Sequence, residues 1–248
     1  MSSKGDCYIG TSGWIYSDWE RKFYPRDLPS SEKLKYFSQY FNTTEINYSF
    51  YHLPRPQTFQ KWYSQTPKAF IFSVKVSRFI THIKRMKGIK NSWERFYKNA
   101  LFLKDKLGPF LFQFPPSFKK TEDTLGRIRD FLDSMKKVSL RIAFEFRNKS
   151  WIDKKFYKFL EKYNVAWVIS DSSCYPRDII STADFVYLRF HGPKELFGSS
   201  YTLSELKKWS SLLKKYLSQG KDIFCYFNND FHAYAIFNAK TLKNLLLC

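Results

Sequence analysis

Apolar residues recur along this chain with two different periods, and the two alternate from one end to the other. Short runs rich in β-branched and aromatic residues fall at 7–12, 43–50, 70–77, 110–114, 140–147, 166–171, 185–191 and 223–228, which is the length and composition of strands. Between most of them the spacing shifts to three- and four-residue steps. In the clearest case, residues 202–219, Leu203, Leu206, Trp209, Leu212, Leu213, Tyr216 and Leu217 mark one helical face. Thr202 and Glu205 predict a capping box at its start, and Gly220 its end. Ser150 and Asp153 offer a similar start for a helix holding Phe156, Leu160 and Tyr163. Segments around 34–41, 59–63, 93–103, 125–135 and 235–246 complete the helical set. The link between strands six and seven, residues 172–184, is too short and irregular for a full helix.

Strand–helix alternation of this kind demands parallel strands joined by right-handed crossovers. Eight such units in 248 residues predict one α/β domain, 1–248, folded as a TIM-like (β/α)8 barrel with an irregular sixth link. An open doubly wound sheet is the rival. It would carry a glycine-rich phosphate fingerprint after the first strand, and Gly10-Thr11-Ser12-Gly13-Trp14 does not have that spacing. No linker, low-complexity stretch or longer repeat interrupts the pattern.

Several strands are not uniformly apolar, as they would be if covered on both sides. Phe70, Phe72, Val74 and Val76 share one parity, with Ser73, Lys75 and Ser77 on the other. Leu140, Ile142, Phe144 and Phe146 oppose Arg141, Glu145 and Arg147, while Val186, Leu188 and Phe190 oppose Tyr187, Arg189 and His191. Ile46 and Phe50 oppose Glu45 and Asn47, and Gln113 and Asn228 fall on the polar parity too. The apolar parity must face the helices, so the polar one points into the barrel. Its charges gather toward the C-terminal strand ends, where barrel enzymes place their chemistry. Glu45 and Glu145 against Lys75, Arg147 and Arg189 leave a net charge of +1. That excess predicts a waiting anionic ligand, against the blander alternative of an ion-pair network that satisfies itself.

Charge extends the same picture to the surface. Lys and Arg number 42 against 22 Asp and Glu, giving a formal charge of +20. Acidic partners fit such a balance, although most of the lysines read as solvated helix faces. The stretch 75–90 differs, with six cations and no acid. No apolar run reaches membrane-spanning length, and the N-terminus does not read as a secretory signal, so a cytoplasmic location without membrane association is expected. The four cysteines show no paired spacing and are expected to be reduced, with Cys7 and Cys225 buried in strands.

The candidate chemistry follows from this arrangement. Glu45 and Glu145 are paired carboxylates suited to proton transfer, with His191 as partner. Glycoside hydrolysis would place two carboxylates across a sugar, but the neighbouring cations favour ion pairing instead. Lys75, Arg147 and Arg189 read as an anion clamp. Lys75, desolvated beside other cations, would also have imine chemistry within reach. Asn47, Gln113, Asn228, Trp14 and Tyr16 complete the expected binding set. Trp14, Tyr16, Trp19, Tyr51 and Trp151 gather in rim loops, where exposed rings could stack on a base or sugar. The loops 189–192 and 228–230 follow strands seven and eight, where barrel enzymes often seat a phosphate. His52, His82, His191 and His232 lie near strand ends, but their spacing matches no metal motif and cations surround them; neither a metal nor another cofactor is predicted.

The runs Gly10-Thr11-Ser12-Gly13-Trp14-Ile15-Tyr16, Phe23-Tyr24-Pro25, Glu45-Ile46-Asn47-Tyr48-Ser49-Phe50-Tyr51 and Phe72-Ser73-Val74-Lys75 resemble the domain of unknown function 72 (YecE-like) family. So do Thr81-His82, Gly108-Pro109, Gln113-Phe114-Pro115-Pro116-Ser117-Phe118, Glu145-Phe146-Arg147, Ser150-Trp151, Arg189-Phe190-His191-Gly192 and Tyr226-Phe227-Asn228-Asn229. The likeness covers nearly the whole chain in order. It implies a TIM-barrel-like fold and a site built from Glu45, Asn47, Lys75, Gln113, Glu145, Arg147, Arg189, His191 and Asn228, but no particular reaction. Asn148 stands where the family pattern leads one to expect His, and Ala233 where it leads one to expect Gly.

The leading expectation is therefore an enzyme, a hydrolase, lyase or isomerase, acting on a phosphate- or carboxylate-bearing molecule by acid/base chemistry at the C-terminal rim. Nucleic-acid binding, extending to nuclease or repair activity, is the second reading. A barrel that binds a small molecule without turning it over is the third. The sequence specifies no oligomeric state.

Overall fold

The computed structural model describes residues 4–247. Eight strands run β1 (Cys7–Thr11), β2 (Thr43–Ile46), β3 (Ile71–Lys75), β4 (Leu107–Phe114), β5 (Ile142–Phe146), β6 (Val165–Asp171), β7 (Phe185–Phe190) and β8 (Asp222–Phe227). All are parallel, in the order β1-β8-β7-β6-β5-β4-β3-β2. The ring closes where Ser12 bridges Glu45 and the Gly13 amide donates to the Glu45 carbonyl at 2.8 Å. At this seam Gly10 cannot be replaced without displacement, because a Cβ there would meet the Thr43 carbonyl oxygen at 2.1 Å.

The helices are α1 (Lys33–Phe37), α2 (Tyr48–Tyr51), α3 (Pro56–Ser64), α4 (Lys90–Ala100), α5 (Glu122–Met135), α6 (Lys154–Lys162), α7 (Leu203–Ser218) and α8 (Tyr234–Leu246). α7 has the expected capping box, with the Glu205 amide donating to Thr202 Oγ1 at 3.3 Å and the Thr202 amide to Glu205 Oε2 at 2.8 Å. Asp153 caps α6 by accepting from the Lys155 amide at 2.7 Å. The link 172–184 contains no helix; Thr182 ties it down, its Oγ1 donating to the Val165 carbonyl and accepting from the Trp167 amide. β2 is shorter than its apolar run. Ser49 Oγ donates to the carbonyls of Ile46 and Lys75, so the chain turns into α2 directly behind Glu45. No helix among the described residues is long and apolar enough to cross a membrane. Cys174 and Cys225 are free thiols, but Cys7 is disulfide-bonded, which corrects the expectation of a fully reduced set; Cys248 lies outside the described residues.

Strand parity sorts the core into two layers. Phe72, Val74, Phe112, Phe144, Phe146, Leu188 and Phe190 pack between barrel and helices, while Leu111, Ala143, Ala166, Val168, Phe185, Tyr187, Phe224 and Tyr226 fill the lower lumen. At roughly 1.5–3 kcal/mol for each large apolar side chain removed from water, these layers fix which face of every strand turns inward. The Tyr187 and Tyr226 rings lie 5.3 Å apart and roof the apolar lumen. Above them Ser73 Oγ meets the Tyr187 hydroxyl at 2.6 Å, and Thr43 Oγ1 meets the Tyr226 hydroxyl at 2.8 Å. Beyond this floor lie Glu45, Gln113, Glu145, Ser170 and Arg189.

Candidate active site

The polar layer is assembled by register. Gln113 sits beside Glu145, Ser73 beside Glu45, and Ser170 beside Arg189 on neighbouring strands. Arg189, wholly buried, is the hub: its Nε and Nη2 donate to the two Glu45 oxygens at 3.0 and 2.7 Å, and its Nη1 donates to Glu145 Oε2 at 2.6 Å. Glu45 also accepts from Ser12 Oγ at 2.7 Å and the Tyr187 hydroxyl at 2.8 Å. Arg147 Nε donates to Glu145 Oε1 at 3.1 Å. Burial alone would raise the Glu145 pKa, but the Arg189 and Arg147 guanidinia outweigh it and hold the carboxyl well below its ordinary range. Burial opposes the Arg189 charge as well, yet Glu45 and Glu145 keep its pKa above the normal value.

The two carboxylates are thus mated to two guanidinia. Arg189 in particular does not stand ready for an outside anion, contrary to its expected place in a clamp. Several other inward groups have no such partner. Among the described residues no carboxylate lies within 4.0 Å of Nζ of Lys75, the last residue of β3; the amine lies instead 4.2 Å from the centre of the Phe50 ring. Burial, and after it the Arg189 charge, lowers its pKa from 10.5 to about 7. Asn228 Nδ2 lies 3.2 Å from His191 Nδ1. An amide N–H can only donate, so Nδ1 accepts and the imidazole proton sits on Nε2. That Nε2 is buried without a hydrogen-bond partner, 4.0 Å from Glu145 Oε1. Burial and Arg189 keep the ring neutral, its pKa far below the ordinary histidine value. Asn47 Oδ1, Ser170 Oγ and Asp230 Oδ1 are also buried and unpaired. Burial pushes the Asp230 pKa well above the ordinary carboxylate value, opposed by Tyr16 and Arg189. The Arg147 guanidinium stacks on Tyr175, 4.0 Å from the ring centre, and among the described residues its hydrogen bonding is through Nε alone.

Glu45, Glu145, His191, Asn47, Lys75, Gln113, Arg147, Arg189 and Asn228 therefore all converge on one end of the barrel. Trp14 does not join them as an exposed stacking ring. It is buried, edge-on to Trp62 at 5.4 Å, and its carbonyl accepts from the Tyr24 hydroxyl. Trp19 and Trp151 are buried as well. Tyr16 is half-buried, its hydroxyl donating to the Ser12 carbonyl, while Tyr51 is exposed. The expected phosphate position at the start of α8 is partly taken, since the His232 amide donates to Asp18 Oδ2 at 2.8 Å. Among the described residues no group of three or more His, Cys, Asp or Glu is placed to hold a metal ion. His82 stacks edge-on against Phe50 at 5.0 Å, on the same ring that carries Lys75. Ser12, Ser170, Tyr187, Asp230 and Tyr175 also belong to the site, though none was among the expected binding residues. Parity with Arg189 set Tyr187 on the inward face without giving it a role, whereas Tyr175 lies in the link that has no period to place it.

Known proteins share this arrangement of the chain. The family described as "Protein of unknown function DUF72" matches residues 8–247. The chain is 28% identical over 270 residues to the UPF0759 protein YunF of Bacillus subtilis (strain 168), the alignment covering 96% of this chain and 94% of that one. It is 27% identical over 128 residues to the UPF0759 protein YecE of Escherichia coli (strain K12), covering 52% of this chain and 44% of that protein. The crystal structure of a DUF72 family protein from Thermotoga maritima MSB8 superposes with a TM-score of 0.87 at 29% identity, over 98% of this chain and all of that one. Matched by the family over residues 8–247 and by a solved relative along the whole course of its backbone, the chain belongs to the DUF72 family.

Proposed function

We propose that this chain is an enzyme acting on a small phosphate- or carboxylate-bearing molecule by acid/base chemistry at the C-terminal rim of its barrel. The reading rests on one observation: at the C-terminal ends of the strands and in the loops after them, His191 Nε2, Asn47 Oδ1, Ser170 Oγ and Asp230 Oδ1 are buried without partners, and Lys75 forms no ion pair among the described residues. Unpaired buried polar atoms each cost about 1–3 kcal/mol, a cost that a bound polar ligand would offset. Glu45 and Glu145 act here as anchors, because Arg189 and Arg147 occupy them. The anion falls to Lys75 and the free terminal nitrogens of Arg147. Proton transfer falls to Lys75, whose pKa of about 7 suits both states at neutral pH, with His191 donating a hydrogen bond. A thermal-shift screen of phosphorylated and carboxylated metabolites tests this reading. Stabilisation by some of them, lost in Lys75→Met and Arg147→Met relative to each variant's own baseline, is the expected result. No shift with any compound, or shifts unchanged in both variants, would overturn it.

A second reading is nucleic-acid binding. It draws on the rings and chains left exposed on the same side of the barrel, namely Tyr48, Tyr51, Phe79 and Ile83, close to Arg78, Lys84 and Arg85. Arg85 is held there by Ser117 of the loop after β4. Aromatic stacking with basic contacts to phosphate would give affinity that falls steeply with salt. Mobility assays at low salt that show no retention of DNA or RNA would dispose of it.

A further inference from the structure

Resting on the enzymatic reading above, we propose that Lys75 is an imine-forming nucleophile and that the substrate carries a carbonyl carbon next to its anionic group, as a 2-oxo acid does. An amine must be uncharged to attack a carbonyl. Three features of the site oppose the charge on this one. The side chain is 8% exposed, so water cannot solvate an ammonium well. Arg189 and Arg147, both within electrostatic reach, repel it. The two carboxylates that might have paired with it are held by those same arginines. A lysine meant only to clamp an anion would gain from being charged and solvated, whereas this one is kept close to half-deprotonated at neutral pH. The Phe50 ring, 4.2 Å from Nζ, fixes the amine in place without supplying a counter-charge.

The step balances within the site. The neutral Nζ forms a bond to the carbonyl carbon, and the oxygen takes up the two hydrogens that leave the nitrogen. The C–O bond breaks, water departs, and a C=N bond to Lys75 remains, with no oxidation or reduction. His191 Nε2–H, a buried donor without an acceptor, would hydrogen-bond the carbonyl oxygen while the C–N bond forms. The terminal nitrogens of Arg147, fixed by Glu145 and Tyr175, would take the carboxylate.

The experiment uses the full chain with glyoxylate and pyruvate as probes and lactate as the carboxylate lacking a carbonyl. Each is incubated with borohydride, which reduces imines to stable amines, and the modified lysines are mapped by mass spectrometry. The expected result is labelling of Lys75 at least about tenfold above the average surface lysine, as its far larger free-amine fraction at neutral pH requires, with none from lactate. Labelling should rise through a midpoint near the Lys75 pKa of about 7 rather than near that of solvated lysine. Lys75→Arg and Lys75→Met should lose it. Labels spread over surface lysines without preference would overturn the proposal. If the 2-oxo acids and lactate raise the melting temperature alike while Lys75 stays unlabelled, the imine fails and the anion-binding enzyme stands. If nothing binds and nothing is trapped, both fall.

Discussion

Replacing Lys75 with methionine should make the protein more stable at neutral and acid pH, although the lysine is buried and sits at the centre of the site. Burial and the Arg189 charge lower its pKa from 10.5 to about 7. At about 1.36 kcal/mol per pH unit, the folded state carries a cost of at most roughly 5 kcal/mol when this lysine is protonated. Relaxation and water penetration bring that to an expected ~2–3 kcal/mol. The sign follows from proton binding. Between the folded value of about 7 and the unfolded 10.5 the unfolded chain binds more protons, so raising the pH through this window stabilises the native state. Below the window both states are charged and the whole cost is present; above it the cost vanishes. Methionine has similar length, keeps its contact with Phe50 and has no charge to desolvate. Urea unfolding should therefore show Lys75→Met ahead of the wild type by ~2–3 kcal/mol at pH ~6, with the gap closing toward pH ~10 and the m-value unchanged. A wild type more stable than the variant at the acid end, or a gap that does not change with pH, would refute the reasoning.

Arg189→Met should act in the opposite direction, because it strands Glu45 as a buried charge and leaves Glu145 with Arg147 alone. A loss of about 3–5 kcal/mol is expected in chemical denaturation, part of it recovered by adding Glu45→Gln, and a loss under ~1 kcal/mol would contradict the pairing described. Ala233 has φ 62° directly before α8, a left-handed conformation that its Cβ disfavours. Ala233→Gly should raise stability by about 0.5–1 kcal/mol, the ~1–2 kcal/mol of relieved strain being partly cancelled by glycine's greater unfolded freedom; a lower melting temperature would count against that account.

Much of the architecture could be read from local pattern. The alternation in β3, β5 and β7 identified the inward face of each strand, and the register then brought Lys75, Glu145 and Arg189 to one end. The irregular link 172–184 betrayed itself by lacking a period. The likeness to the DUF72 family rested on motifs at strand ends, which is where the polar layer lies. Three points escaped. Trp14, Trp19 and Trp151 sit in loops, and a loop sequence does not say whether its ring turns outward or covers the helices; all three are buried. Asp230 and Ser170 draw their character from burial, which depends on what packs above them. Cys7 reads as a small buried residue of β1, and only the folded chain shows that its sulfur is bonded.

The sequence by itself determined the barrel and which side chains enter it, because both depend on periods of two and near four that any stretch of chain carries within itself. The pairing among those side chains was decided only by the closed ring. Arg189 could have faced a ligand or the two glutamates, and the strand order places Glu45 and Glu145 within reach of one guanidinium. That choice consumes the carboxylates and leaves Lys75 without a direct ion pair among the described residues. Charge balance at a site is a property of distances between strands far apart in the chain, and no local pattern records those distances.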